Sequence, residues 1–418
     1  MSKIFHASLQ GLASLKNQEL LVSDISKTEW SDIDIEASKF YLLIPQDSIF
    51  RQEYERWWKI TDVLPVNSMA ITTARDKLTI HLSKNDIFET VKDFVALPVE
   101  VARAKYELGD DTRDWKIHLA QKDIKESKVS YGNISQITYR PFDIRYTYYT
   151  GKWKGFHCTP RTEIMAHIIA SDNLGLCSVR GSRENSISNF FVSENLTDKT
   201  ILSSADNANI APLYLYPTTP GEIDMGITRK PNIAPEFLAK LEQNFSYIPT
   251  PEAIFYYIYA IFYSPTYRSR YAEFLKADFP RVPMTRNVNL FQQLGKLGEQ
   301  LVNLHLMKSP ILNQISSPFI EHGGGCIVDA GHPKYENGKV VINKQKDGFV
   351  DVPEAVWNFH VGGYQVCHKW LKDRKGRTLS QADIEHYQKI VVALEQSIDL
   401  MAKIDAAIPN WPIDSEYN

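Results

Sequence analysis

At 418 residues, 43% hydrophobic and 23% charged, the chain can build two or three cooperative cores and has the balance of an ordinary soluble protein. Its 47 Lys and Arg against 50 Asp and Glu leave a formal charge of −3, which excludes a wholesale cationic coat but not a single basic face. The four cysteines (Cys158, Cys177, Cys326 and Cys367) lie far apart with no C-x-x-C pair, so neither a disulfide framework nor a zinc ribbon is indicated.

Residues 1–130 read as a mixed α/β segment. Phe40–Ile44 predicts a buried strand ending at Pro45, and Ala70–Thr73 and Leu78–His81 predict two short strands around the turn Ala74–Lys77. Helices are expected near Asn85–Leu97 and Pro98–Leu108. Residues 131–235 read as a β-rich zone with polar loops, notably Arg180–Ser186 and Ser203–Asn209, and the stretch 218–235 is the best linker candidate. Residues 236–418 read as a helical subdomain with a hairpin insertion near 320–350. Thr250 caps a helix with Pro251 at its first position, and Ser264-Pro265 repeats the device for a helix that Pro280 closes. A further helix spans Asn289–Met307, Asn337-Gly338 marks a hairpin, and Ser380 with Asp383 starts a long terminal helix near Gln381. The expected class is mixed α+β.

Positive charge gathers in two places. From Arg140 to Arg183 seven Lys or Arg face three acids, 7 − 3 = +4; from Lys369 to Arg377 five face one, 5 − 1 = +4. A near-neutral chain that concentrates cations beside rings and polar loops is arranged to dock on a polyanion, and duplex DNA is the commonest. Arg pairs with guanine and Asn with adenine in the major groove, so the loop holding Arg180, Arg183, Asn185 and Asn189 is the base-reading candidate. Arg145, Lys152, Lys154, Arg161, Lys372, Arg374, Lys375 and Arg377 are the phosphate candidates. Within YRPFDIR, Asp143 competes for the arginines, and a structural ion pair weighs as much as a DNA contact. The dense tyrosines 256, 257, 259, 263 and 267 read as core rather than as a stacking platform for single strands, because isoleucines interleave them.

These residues also carry a resemblance. Tyr139-Arg140-Pro141-Phe142-Asp143 with Arg145, Thr150-Gly151-Lys152, Gly155-Phe156-His157, Asn173–Leu176, Pro212–Pro217, Thr250–Pro283, Gly362–Val366 and Lys369–Arg374 follow one another in order. In these blocks, across nearly its whole length, the chain resembles the C-terminal specificity region of Type ISP restriction–modification enzymes. In that family one polypeptide carries a nuclease, a helicase-like motor, an adenine-N6 methyltransferase and, last, a target recognition domain. The resemblance implies that this chain is the last part. It would bind double-stranded DNA, hold no cofactor itself, and work beside a methyltransferase domain, in cis or in trans, that carries S-adenosylmethionine.

Other chemistry finds little support. No Asn/Asp-Pro-Pro-Tyr/Phe segment, S-adenosylmethionine loop or G-x-x-x-x-G-K-[ST] motif occurs, so methyl transfer and ATP hydrolysis are not expected of this chain, and no nuclease constellation stands out. His322–Gly325 resembles a lipase oxyanion loop but lacks a G-x-S-x-G partner, and reads as a glycine-rich turn. The eleven histidines offer no metal-ligand spacing. No apolar run reaches membrane-spanning length and MSKIFHASLQ is not a secretory signal, so a cytoplasmic setting is expected. The competing reading is a non-catalytic scaffold that docks on protein within a defence complex.

Overall fold

The computed structural model describes residues 3–7, 13–33, 50–183, 186–217 and 228–413. Two units divide the chain, Met1–Arg56 and Trp57–Asn418. In the first, strands Ile4–His6 and Ser31–Ile33 pair antiparallel, and helices Ala13–Val22 and Arg51–Glu55 complete the described elements. The strand expected at Phe40–Ile44 and the centre of the expected linker, 218–227, lie outside the described residues.

In the second unit a short strand, Trp58–Lys59, and a helical turn, Ile60–Val63, precede β1 (Ser68–Met69). The hairpin expected around Ala74–Lys77 is replaced by distant pairing. Ile71 bridges Asp198, Thr72 bridges Thr159, and Asp76–Thr79 is one helical turn. Its anchor is Asp76, which accepts from Thr73 and, at 2.8 Å, from the Tyr139 hydroxyl. Leu78 and Ile80 are buried, an outcome that a helical turn and a strand satisfy equally over so few residues.

Helices α1 (Lys84–Ala96), α2 (Val99–Lys105) and α3 (Ile117–Ser127) follow. Ser83 Oγ caps α1 by accepting from the Asp86 N–H at 3.1 Å. Ile87, Val91 and Phe94 then meet Ile117, Ala120 and Ile124 around the buried Trp115.

The hairpin β2 (Ile134–Arg140) and β3 (Asp143–Tyr148) leads to α4 (Thr162–Ile169), then β4 (Gly175–Val179), β5 (Phe190–Ser193), β6 (Leu196–Thr197) and β7 (Ala208–Pro212). One antiparallel sheet has the order β1-β7-β4-β5; the other runs β3-β2-β6, with β6 parallel to β2. The helix α4 interrupts a zone read as strands; its buried residues are Ile164, Met165, His167 and Ile168, too short a pattern to register as periodic.

The helical part follows its caps closely. In α5 (Pro251–Tyr263) Thr250 Oγ1 accepts from the Ala253 N–H at 3.2 Å. The single helix expected from Ser264 to Pro280 is split into α6 (Pro265–Arg270) and α7 (Ala272–Ala277). The break falls at Tyr271, which turns inward to meet Trp57 edge-on at 4.9 Å. Helix α8 (Val288–His305) packs on α5 and on the terminal helix, and a small sheet follows it, β8 (Phe319–Ile320), β9 (Lys334–Glu336), β10 (Lys339–Val341) and β11 (Gly348–Phe349), in the order β8-β11-β10-β9. Asn337-Gly338 joins β9 to β10 as expected. Last come α9 (Val366–Lys372) and α10 (Gln381–Ala407), whose capping box of Ser380 and Asp383 is complete.

Pairing ties distant segments together. Trp58–Lys59 pairs with Arg281–Val282, and β1 pairs with β7.

Candidate nucleic-acid interface

Cations of the two basic clusters have opposite fates. In the first group, Asp143 at the start of β3 is 1% exposed and sits between two guanidiniums. Arg145 Nη2 approaches Asp143 Oδ2 at 2.6 Å, and Arg374 Nη2 approaches Oδ1 at 3.2 Å. Asp373 lies 3.4 Å from Arg145, and Asp383 lies 3.6 Å from Arg374. Burial by itself pushes the Asp143 carboxyl up, but Arg374 and Arg145 outweigh it and hold the group below its ordinary range. Arg374 also lies 3.3 Å over the buried Trp370 ring, and Arg140 pairs with buried Asp198 at 3.0 Å. The motif YRPFDIR is therefore a structural lock between the β2–β3 hairpin and the loop after α9. Arg145 and Arg374, expected on phosphates, are enclosed here and present no free face.

The second group surrounds a polar cleft of about 390 Å³ at the end of the first sheet. Ala208 stands opposite Val179 in the register of β4 and β7, so the loop leaving β4 and the loop entering β7 must be neighbours. The first carries Arg180 and Arg183, the second Asp206 and Asn207, β7 itself adds Asn209, and the end of α7 adds Lys276. Gly181 fixes the first loop: it has φ +73°, and a Cβ there would stand 2.7 Å from Lys276 O, while Ser182 N–H donates to that same carbonyl at 2.9 Å. Asp206, nearly buried, accepts from the Arg183 N–H at 3.1 Å.

On this fixed base the side chains stand out. Arg180 is 74% exposed with Nε 3.3 Å from Asp278; Arg183 is 81% exposed with Nε 3.6 Å from Asp206. Exposed pairs of this kind are worth at most about 1 kcal/mol, so a stronger anion can take either guanidinium. Burial raises the Asp278 carboxyl, yet its bond from Lys59 at 2.7 Å and the nearby Arg180 leave it below its usual value. Asn207 and Asn209 were not singled out from the sequence; only the strand register brings them beside Arg180.

The other candidates sort plainly. Asn189 is buried, with its Nδ2 donating to Ser186 O at 2.9 Å, so it supports the loop instead of facing outward; Asn185 lies outside the described residues. Lys152 pairs with Glu126, and Lys154 lies 3.7 Å from Asp114; both are part-exposed on the turn after β3. Arg161, in the left-handed region at the start of α4, is mostly covered and lies 3.8 Å from Glu163. Lys372 at the end of α9 and Lys375 and Arg377 on the loop after it are exposed outside the lock, and that loop is pinned where Gly376 N–H donates to Val328 O at 2.7 Å.

Two further expectations resolve. Tyr257, Tyr259, Tyr263 and Tyr267 are buried and their hydroxyls reach Pro283 O, His305 Nδ1, Phe190 O and Arg281 O, as core residues do. The glycine-rich turn at His322–Gly325 wraps the Asp347 carboxylate, which accepts N–H bonds from His322, Gly324 and Cys326 at 2.6, 3.2 and 3.1 Å. Glu321, Cys326 and Asp347 bring ligand atoms within 4.8 Å of one another, but both Asp347 oxygens already serve these amides, so the group is a loop anchor.

An α+β body that holds cation- and amide-bearing loops around a cleft has the make-up of a recognition domain. The family model of the Type ISP C-terminal specificity domain matches residues 62–403, and the chain belongs to that family. Three solved structures share its fold. They are a nuclease-deletion mutant of the Type ISP restriction–modification enzyme LlaGI with a DNA substrate mimic (TM-score 0.64, 19% identity, 94% of this chain), a DrdV–DNA complex (0.70, 15%, 96%) and the ATP-dependent Type ISP enzyme LlaBIII bound to DNA (0.63, 16%, 93%). The chain spans 37%, 43% and 26% of those three chains, respectively. No curated protein sequence matches it. Among the described residues no helix is long and apolar enough to cross a membrane.

Proposed function

We propose that this chain binds double-stranded DNA sequence-specifically as the target recognition part of a restriction–modification enzyme, presenting one adenine to a methyltransferase domain that carries S-adenosylmethionine. The reading rests on membership of a specificity-domain family and on relatives of the same fold that are complexed with DNA. One observation carries it to particular residues: Arg180 and Arg183 stand exposed beside Asn207 and Asn209 over a single cleft whose backbone is fixed. Guanidinium and amide groups at one edge can read guanine and adenine in the major groove. Lys372, Lys375 and Arg377 supply phosphate contacts that set orientation without reading sequence. Extruding the target base costs a few kcal/mol, which the surrounding contacts must offset.

Selection from a random duplex pool tests the proposal. A discrete motif should be enriched, and affinity should fall with salt at a log–log slope of about −0.9 per phosphate neutralised. A flat salt response without enrichment, combined with tight binding to a methyltransferase domain, would replace it with the scaffold reading.

A further inference from the structure

Strand β3 runs out into the turn Thr150–Gly155, and that turn is rigid by construction. The buried Asp123 carboxylate of α3 clamps its two ends, accepting from Thr150 Oγ1 at 2.8 Å and from the Phe156 N–H at 2.7 Å. Thr162 Oγ1 donates to Gly151 O at 2.7 Å, and the Lys154 N–H donates to Cys158 O at 3.1 Å. Gly155 lies so close to Asp123 that a Cβ there would collide with the carboxylate.

On this frame Trp153 stands 59% exposed and makes no ring contact among the described residues. A lone apolar side chain on a yielding surface is ordinary. Here the backbone is locked from both ends, so the indole is carried out into water on a main chain whose ordering is already complete, as suits a contact group.

Cations surround it. Lys152 and Lys154 flank it in sequence; Lys122 shares Glu126 with Lys152, and Arg113 shares Asp114 with Lys154. With the Asp123 carboxylate beneath the turn, four cations face three carboxylates, 4 − 3 = +1. The centres of protein–protein contacts are depleted in lysine, whereas an apolar wedge in a base stack has a phosphate on each side.

We infer that this turn is an aromatic wedge for duplex DNA: Trp153 enters the base stack at one step, and Lys152 and Lys154 hold the phosphates beside it. The inference rests on the duplex-binding reading above and deepens it. The wedge connects to the cleft along the chain's pairing: Met69 lines the cleft, Thr72 N–H donates to Thr159 O, and the neighbouring Cys158 O accepts from the Lys154 N–H beside Trp153.

The test uses the whole chain and the duplex recovered by random selection, with 2-aminopurine placed at each position in turn. Wild type should raise fluorescence at one step. Trp153→Ala should lose that signal and bind about tenfold more weakly, whereas Trp153→Phe should keep most of both. Equal thermal melting of all three proteins verifies the fold. Undiminished affinity in Trp153→Ala, or weaker binding with the fluorescence signal retained, overturns the wedge and leaves duplex binding standing. Lost affinity for a separately supplied methyltransferase domain, with duplex affinity intact, overturns it in favour of protein docking. A wild-type chain that binds no duplex overturns the parent reading as well.

Discussion

The lock around Asp143 and the cleft at Arg180 are built from the same residue types and put to opposite uses. At the lock, Arg145 and Arg374 are folded inward onto one carboxylate. At the cleft, Arg180 and Arg183 stand outward, each beside a carboxylate at 3.3–3.6 Å that it can leave at little cost. The difference lies in burial of the guanidinium: Arg145 and Arg374 are enclosed with their acid, whereas Arg180 and Arg183 keep most of their surface in water. Charge density along the sequence therefore marks both places and separates neither; only the fold tells a structural arginine from an available one.

The comparison breaks most visibly at its buried side. Asp143→Asn preserves shape but leaves two enclosed guanidiniums facing an uncharged amide, and a loss of about 3–5 kcal/mol is expected in urea unfolding. A loss under about 1 kcal/mol would mean that Asp373 and Asp383 suffice without it. Because the folded carboxyl titrates below its unfolded value, its contribution is complete above about pH 4 and disappears as pH falls through the lowered native value. The gap between the variants should thus stay constant from pH 5 to 8 and close only in strong acid.

A second buried effect has a different pH window. His157 and His305 are enclosed and neutral, and burial depresses them to about 4 and about 3. His305 sits between the Tyr259 hydroxyl at 2.6 Å and Ser397 Oγ at 3.0 Å. Unfolded histidines take up protons near pH 6.5, which the folded chain refuses until pH 4 or lower. Stability should therefore fall as pH drops below about 6.5, by up to about 1.4 kcal/mol per pH unit for each histidine. His305→Gln should remove one histidine's share of that slope between pH 6 and 4.5, with His81, His368 and His386, also lowered by burial, still contributing; an unchanged slope would place the titration elsewhere.

At the exposed side the effects fall on recognition. Arg183→Ala should relax preference at one base position by about 1–3 kcal/mol and leave the melting curve within about 0.5 kcal/mol of wild type. Lys154→Ala should weaken every sequence alike and reduce the salt slope by about 0.9. Uniform weakening from both substitutions would erase the distinction between reading and gripping.

The helices were the most legible part of the chain. Thr250-Pro251 and Ser380 with Asp383 announce α5 and α10 through capping chemistry that is local by nature. The lock was half legible: Asp143 and Arg145 are neighbours in sequence, but Arg374 is 231 positions away and nothing short-range points to it. The cleft was legible on one rim only, because Asn207 and Asn209 join Arg180 through strand register. Asn189 shows the limit most simply. A buried amide that steadies its own loop and an exposed one that reads a base have the same sequence neighbourhood of serines and charge.

Because Asp143 binds Arg374 across 231 positions, losing the segment on either side would leave the buried carboxylate or the buried guanidinium without one of its partners. The domain is indivisible at that keystone, yet the loops at 180–183 and 203–207 hang from the end of a sheet that the keystone does not touch. Those loops can therefore change in length or composition without disturbing the pair that closes the body.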